Sequence, residues 1–325
     1  MKMSVTVSQI FIASVCAAYV CFAAAQQPYP NKPIRIITPY APGGSTSVMA
    51  RLIGQKLTED WGQQVLVDNR PGGNGFIGGE ALVRSAPDGY TLMLITSTYI
   101  MTPLLIAPPY DAINDVAPVA TLSNYADMLV VHPSLPANTL QEFIALAKSK
   151  PGKLDYASSG TGGSTHLNTE LLSMLAGIKM QHIPYKGAGQ SLTDLIGGQV
   201  QVLFTTPVNV LPHIMSGKLK PIAVGGETRL ASLPQVPTFA EAGLPGYDVK
   251  GWNAILAPAG TPKNIVEQLS VEIGKIVRMP EIKKRFDSMG VAPFVSTSEQ
   301  FGAMMKAETA KWAKVIKTAN IKLEN

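Results

Sequence analysis

The sequence predicts an α/β protein of two Rossmann-like lobes, each built on a largely parallel sheet, joined by two crossing segments. Three observations carry this expectation. Strand-like and helix-like stretches alternate along nearly the whole chain, as they do in βαβ units. The tetrapeptide Gly-Gly-Ser-Thr occurs twice, at Gly43 to Thr46 and at Gly162 to Thr165, each time between a strand-like run and a helix-like one. Behind an apolar leader, roughly 300 residues remain, enough for two hydrophobic cores.

The N-terminus reads as a cleavable secretory leader over residues 1–25. Lys2 is followed by the apolar run Ile10 to Phe22 and by the small residues Ala23, Ala24 and Ala25. A basic start, a short apolar core and a small-x-small site are the parts of such a leader, with Gln26 as the expected mature start. Both cysteines, Cys16 and Cys21, fall inside it. Disulfides and thiolate chemistry are therefore not expected of the mature chain, which must rest on packing. The formal charge is +5, spread along the chain rather than gathered into a stripe, so nucleic acid is not an expected partner.

Strands are expected at Ile34–Thr38, Gln64–Val67, Thr91–Ile95, Met128–Val131, Leu154–Ala157, Met180–Ile183, Val200–Phe204 and Pro221–Val224. Helices are expected at Val48–Glu59, Gly79–Arg84, Leu140–Lys148 and Leu167–Leu175. A helical tail follows from Asn264 to Lys317, broken at Pro280 and near Gly290–Ser298. The first lobe would comprise 26–126 plus 250–325, and the second 127–249. Two crossings make a hinge, and a clamshell closing on such a hinge is a common way to enclose a ligand.

The two Gly-Gly-Ser-Thr loops would project at the carboxyl ends of their strands, where ligands of open α/β sheets bind. Glycine lets backbone approach a ligand, Ser or Thr is expected to cap the next helix, and the helix N-terminus attracts anions. Two such loops suggest two lobes gripping one anion. Other patterns carry less. Gly73 to Gly78 fits a dinucleotide-binding glycine pattern, but the next strand ends in Thr96-Ser97-Thr98 rather than in the acidic residue that pattern requires. Ser164 and His166 lack a nucleophile elbow, so an acyl-transfer enzyme is not expected. The four histidines show no metal-ligand spacing, and neither metal nor cofactor is expected. His132 and His213, each beside a proline, read as loop residues. His166 either touches ligand or lies at the surface. Tyr40 and Tyr185 either line the cleft or plug strand ends. Ser97 and the strand-end hydroxyls of Thr205 and Thr206 are further ligand candidates. Trp252, in the return crossing, reads as hinge packing.

With these residues in view, the chain resembles the substrate-binding proteins of tripartite tricarboxylate transporters, the TctC/Bug family. The matching stretches include Pro42-Gly-Gly-Ser-Thr46, Val67-Asp-Asn-Arg-Pro-Gly-Gly73, Ala86-Pro-Asp-Gly-Tyr-Thr91, Tyr156-Ala-Ser-Ser-Gly160, His182-Ile-Pro-Tyr-Lys-Gly187, Asp194-Leu-Ile-Gly-Gly-Gln199 and Leu256-Ala-Pro-Ala-Gly-Thr-Pro262. The resemblance implies a type II-like, two-lobed periplasmic binding protein, monomeric and non-enzymatic. Such a protein hands a small carboxylate to a membrane permease or, alternatively, presents it to a receptor kinase. It also implies that backbone N–H groups and hydroxyls of two loops hold the carboxylate, often through water. Here those positions are Pro42, Gly43, Gly44, Ser45, Thr46 and Ser47, and Ser159, Gly160, Thr161, Gly163, Ser164, Thr165 and His166.

One departure bears on the ligand. Many relatives carry Asp where this chain has Ser47, and others have Asp where it has Thr205. An ammonium group buried there would lack a counter-charge, at a penalty of several kcal/mol. The expected ligand is thus a dicarboxylate or aromatic acid without an amine, with Asp127 as the acidic residue that could reverse this. No arginine is placed to meet the carboxylate, since Arg51 falls within a helix and Arg70 in the next loop.

Overall fold

The computed structural model describes residues 29–321 except Ala41, Gly43, Lys186, Asp248 and Ala319. The leader, with its two cysteines, and the candidate Gly43 lie outside the described residues. Two sheets organise the rest. The first has the order β11-β4-β10-β3-β1-β2, from β1 (Ile34–Thr38), β2 (Val65–Asn69), β3 (Thr91–Thr96), β4 (Val116–Tyr125), β10 (Gly251–Pro258) and β11 (Ala292–Pro293). The second has the order β7-β6-β8-β5-β9, from β5 (Met128–Val131), β6 (Asp155–Ser158), β7 (Gln181–Pro184), β8 (Val202–Thr205) and β9 (Lys220–Val224). The chain leaves the first sheet after Tyr125, enters the second at Met128, and returns at Gly251. These are the two crossings between the lobes.

The sheets are mixed rather than largely parallel. β1 pairs in parallel with β2 and β3, and β6 with β7 and β8. β10 runs antiparallel to β3 and β4, and β5 antiparallel to β8 and β9. Both exceptions are the strands that follow a crossing. Each enters its sheet from the hinge end, opposite to the βαβ strands beside it. β4 was not expected, because Pro118 and small residues disguise a ten-residue strand as a loop. Proline is tolerated in strands at bulges, and Pro118 sits opposite Leu256 at a register shift between Ile255 and Leu256.

Helices cover the sheets. α1 (Ser45–Trp61), α2 (Phe76–Val83) and the short α3 (Thr98–Met101) follow the first three strands. α4 (Leu140–Ser149), α5 (Ser164–Ala176), α6 (Ala188–Ile196) and α7 (Pro207–Met215) belong to the second lobe. His213 is therefore helical, in the last turn of α7, rather than in a loop. The tail forms α8 (Lys263–Arg278), α9 (Pro280–Ser288) and α10 (Ser298–Thr318). No helix among the described residues is long and apolar enough to cross a membrane.

The tail returns to the first lobe through its apolar stripe. Ile273, Ile276 and Val277 of α8 pack with Leu92 and Leu94 of β3 and Ile255 of β10. Phe301 of α10 meets Trp252 edge-on, with ring centroids 5.5 Å apart, and both are buried. Trp252 is thereby wedged between crossing strand and tail, as expected of hinge packing. Removing a fully buried Phe costs about 3–5 kcal/mol, so Phe301→Ala should lower the unfolding free energy by that amount in urea titration. A loss below about 1 kcal/mol would contradict the packing of α10 on the crossing strand.

Candidate functional site

The two Gly-Gly-Ser-Thr segments end at helix starts of the same form. Gly44 and Gly163 are the N-caps of α1 and α5, both with extended backbone and neither helix with a side-chain cap. This corrects the expectation of Ser or Thr caps, since the helices begin one residue earlier, at Ser45 and Ser164. The physical consequence favours an anion. A capping side chain would take a first-turn N–H group, whereas the N–H groups of Thr165 and His166 have no partner among the described residues. They face outward with the positive end of the helix dipole.

The second loop is held by its own side chains. Thr165 turns its hydroxyl back to accept from the Ser159 N–H at 2.9 Å and meets the Ser159 hydroxyl at 3.0 Å. The Gly162 N–H donates to His166 Nδ1 at 3.1 Å. His166 is 4% exposed, which corrects the alternative of a surface residue. Its ring stacks on His182 at 4.0 Å, and His182 stacks on Tyr156 at 4.9 Å. His182 Nε2 pairs with the Ser158 hydroxyl at 2.7 Å. Burial, reinforced by the neighbouring ring, pushes His166 down to about 3, and burial alone pushes His182 down to about 4. Both are neutral at neutral pH, as an Nδ1 acceptor requires. Gly160 and Gly162 have φ of 149° and 79°, backbone that side-chain-bearing residues rarely adopt. Thr161 completes the loop, half-buried.

The opposite wall comes from the first lobe. The Thr98 hydroxyl donates to Ser164 Oγ at 3.3 Å and accepts from the Ser164 N–H at 3.4 Å. The Thr102 hydroxyl donates to the Gly162 carbonyl at 3.3 Å. The second loop therefore touches the segment that follows β3. Ser97, just before it, is buried. Tyr40 closes the strand end, its hydroxyl 2.8 Å from Thr96 Oγ1, and its carbonyl accepts from Asn69 Nδ2 at 3.0 Å. It also lines a pocket beside Thr98, so it plugs and lines at once. Pro42, Gly44 and Ser45 are exposed at the first loop, and Thr46 is buried.

Several candidates turn away from the loops. Ser47 is 1% exposed and donates to Asn69 Oδ1 at 3.4 Å. Thr205 accepts from Asn209 Nδ2 at 3.1 Å, and Thr206 stands at the N-cap position of α7 without a side-chain hydrogen bond to it. The Tyr185 hydroxyl donates to Asp194 at 2.7 Å, which fastens β7 to α6. Asp127 lies in the crossing, 3% exposed, and accepts from Asn168 Nδ2 at 2.9 Å. Burial pushes its carboxyl up to about 7, against the downward pull of that hydrogen bond. Arg51 is exposed and Arg70 pairs with Asp68. Among the described residues no cluster of three or more His, Cys, Asp or Glu is placed to hold a metal. Sequence reasoning missed the role of Thr98 and Thr102, although the hydroxyl run ending β3 was its signal. It also missed the stack of His166, His182 and Tyr156: the pairing of β6 with β7 sets Tyr156 opposite His182, and α5 brings His166 onto them.

The two depressed histidines set a pH dependence. Their folded values lie below the ordinary value of about 6.5, so the unfolded chain takes up protons that the folded chain refuses. Their contribution is complete above about pH 6.5 and is lost as pH falls toward 4. Asp127, raised, acts in the opposite sense and cancels when variants are compared. The stability advantage of the protein over His166→Gln/His182→Gln should shrink between pH 7 and 4 in denaturation measured across pH. An advantage that stays constant over that range would contradict buried neutral histidines.

Comparison with known proteins agrees with this arrangement. A family profile described as "Tripartite tricarboxylate transporter family receptor" matches residues 49–321. Protein BugT of Bordetella pertussis is 36% identical over 299 residues, covering 91% of this chain and 92% of that one. The structure of R. palustris Rpa4515 with adipate superposes with a TM-score of 0.85 at 32% identity, covering 90% and 99% of the two chains. That of MatC from Rhodopseudomonas palustris with bound malate gives 0.80 at 28% identity, covering 89% and 100%. A two-lobed fold and matches that run through nearly the whole chain place this protein in the TctC/Bug family of tripartite tricarboxylate transporter receptors.

Proposed function

We propose that this protein is a periplasmic solute-binding protein. It captures a small organic carboxylate lacking an amine between its lobes and delivers it to a tripartite tricarboxylate-type permease. The observation that carries this reading is the uncapped N-terminus of α5, whose free N–H groups lie beside hydroxyls from the other lobe. Residues 26–126 with 250–325 form one lobe and 127–249 the other. The carboxylate sits against Pro42 to Ser47 and Ser159 to His166, held by backbone N–H groups and by the hydroxyls of Ser45, Ser164 and Ser97. Dipoles and neutral donors contribute about 1–2 kcal/mol each at most, so several act together. Relatives solved with adipate and with malate support a carboxylate ligand.

Three side chains support the reading of a ligand without an amine. Ser47 and Thr205 bring no charge, and both are turned to Asn partners. Asp127 is buried and engaged by Asn168, and burial favours its neutral form. An ammonium group in the cleft would therefore be desolvated without compensation.

A thermal-shift panel of mono-, di- and tricarboxylates, aromatic acids and amino acids tests the reading. Ligand at a hundred times its Kd adds about 2.7 kcal/mol of stability, so amine-free acids should raise Tm and amino acids should not. A shift from amino acids alone would overturn the amine-free assignment. Gly163→Val should abolish binding while leaving the fold. A Cβ at Gly163 already lies 3.4 Å from the Gly160 carbonyl and 3.9 Å from Thr98 Cγ2, and the branched methyls fill the backbone approach. Normal binding by Gly163→Val would remove the second loop from the site.

A further inference from the structure

The glycine-rich stretch from Gly73 to Gly78 takes no part in the cradle, yet it holds a peptide link with chemistry of its own. Asn74-Gly75 is the one Asn-Gly pair in the sequence. Asn74 is exposed and left-handed, with φ 55° and ψ 30°, a region that asparagine visits more readily than most side chains. Gly72, Gly73 and Gly75 around it also have positive φ, of 115°, 55° and 91°. The turn Gly73–Gly75 is a three-residue 3-10 helix, and its Gly75 N–H donates to the Gly72 carbonyl at 3.0 Å. Short exposed turns of this kind open at little cost. The Asn74 side chain makes no hydrogen bond among the described residues. Asn69, Asn168 and Asn253, by contrast, are held by Thr38, Asp127 and Ser123.

The turn lies at the cleft. Asn74 borders the same hollow as Tyr40 and Thr98, and Thr98 bonds Ser164 of the second loop. Asn74 Oδ1 lies 3.7 Å from where a Cβ on Gly160 would stand. The Asn74 amide thus reaches from the first lobe to the loop that carries the open start of α5.

We propose that Asn74 is a site of spontaneous deamidation, and that the carboxylate it becomes weakens the hold on an anionic ligand. The Gly75 backbone nitrogen gives up its proton to solvent and attacks Asn74 Cγ. A C–N bond forms, and the side-chain nitrogen takes a proton from solvent and leaves as ammonia. The product is a succinimide ring. Water then adds to either ring carbonyl and breaks its C–N bond. One opening leaves aspartate, and the other leaves isoaspartate, in which the backbone runs through the former side chain. Gly75, with no Cβ, leaves its nitrogen open to the attack and supplies the backbone freedom that the ring needs. Either product sets a negative charge opposite Gly160. There it repels a bound carboxylate or takes its place at the helix start. This consequence rests on the carboxylate cradle described above, whereas the deamidation does not.

The site is tested by ageing the protein in warm, mildly alkaline buffer and following its asparagines by peptide mass spectrometry. Asn74 should show the mass gain of NH exchanged for oxygen ahead of every other asparagine. In Asn74→Gly, which suits the same backbone, that peptide should keep its mass. An Asn74 still an amide once another asparagine has converted, or after weeks of ageing, would overturn the site. Calorimetric titration with succinate, adipate and benzoate reads the consequence. Asn74→Asp should bind about tenfold more weakly than the unmutated protein, and the neutral Asn74→Gly should stay within about twofold. Unchanged affinity in Asn74→Asp, or an equal loss in Asn74→Gly, would overturn the effect of the charge and leave the reactive site standing. Failure of all three acids to bind any of the proteins would overturn the cradle and the consequence together.

Discussion

Two helix starts with glycine at the cap, one in each lobe, are the constraint on which the proposed ligand site depends. A helix start ordinarily satisfies some of its free N–H groups with a Ser, Thr, Asp or Asn side chain. Here Gly44 and Gly163 occupy the cap positions and supply none. The lost cap energy is of order 1 kcal/mol per helix, and a bound anion restores it. With both helix starts on one ligand, as proposed, lobe closure and anion binding would be a single event.

The second loop shows what is required to keep such a start open. Its strongest local donors and acceptors are directed inward, away from the helix mouth. Thr165, which could have capped, bonds Ser159 instead, and His166 accepts from Gly162. The stack of His166, His182 and Tyr156 locks that inward arrangement from β6, β7 and α5 together. Contacts from Thr98 and Thr102 then reach the loop across the cleft. Closure rests there on long, neutral hydrogen bonds, each worth about 1 kcal/mol, which suits a hinge that must reopen to release its ligand.

Much of this was legible in the sequence because it is local. β1 and β5 begin and end where the runs Ile34–Thr38 and Met128–Val131 do, since apolar runs bounded by turn residues identify strands directly. The doubled Gly-Gly-Ser-Thr marked two helix starts, though both helices begin three residues before the expected Val48 and Leu167. Strand direction was not legible, because whether β5 and β10 run with or against their neighbours is decided by the hinge geometry. β4 was hidden by Pro118, which only a bulge opposite Leu256 makes tolerable. The orientation of Ser47 depends on Asn69, 22 residues away. The placement of Tyr110 against α2 depends on Gly79, where any side chain would meet its ring. Local pattern predicts elements, whereas long-range packing decides which side chains face the cleft.

The most direct measurement is a titration of 15N-labelled protein with adipate, followed through backbone amide shifts. If uncapped helix starts hold the carboxylate, the largest downfield changes will fall on the first-turn amides of α1 and α5, Thr165 and His166 among them, as those N–H groups gain a charged acceptor. Saturable binding that leaves these amides unmoved and shifts residues elsewhere would contradict the claim that two open helix starts form the ligand cradle.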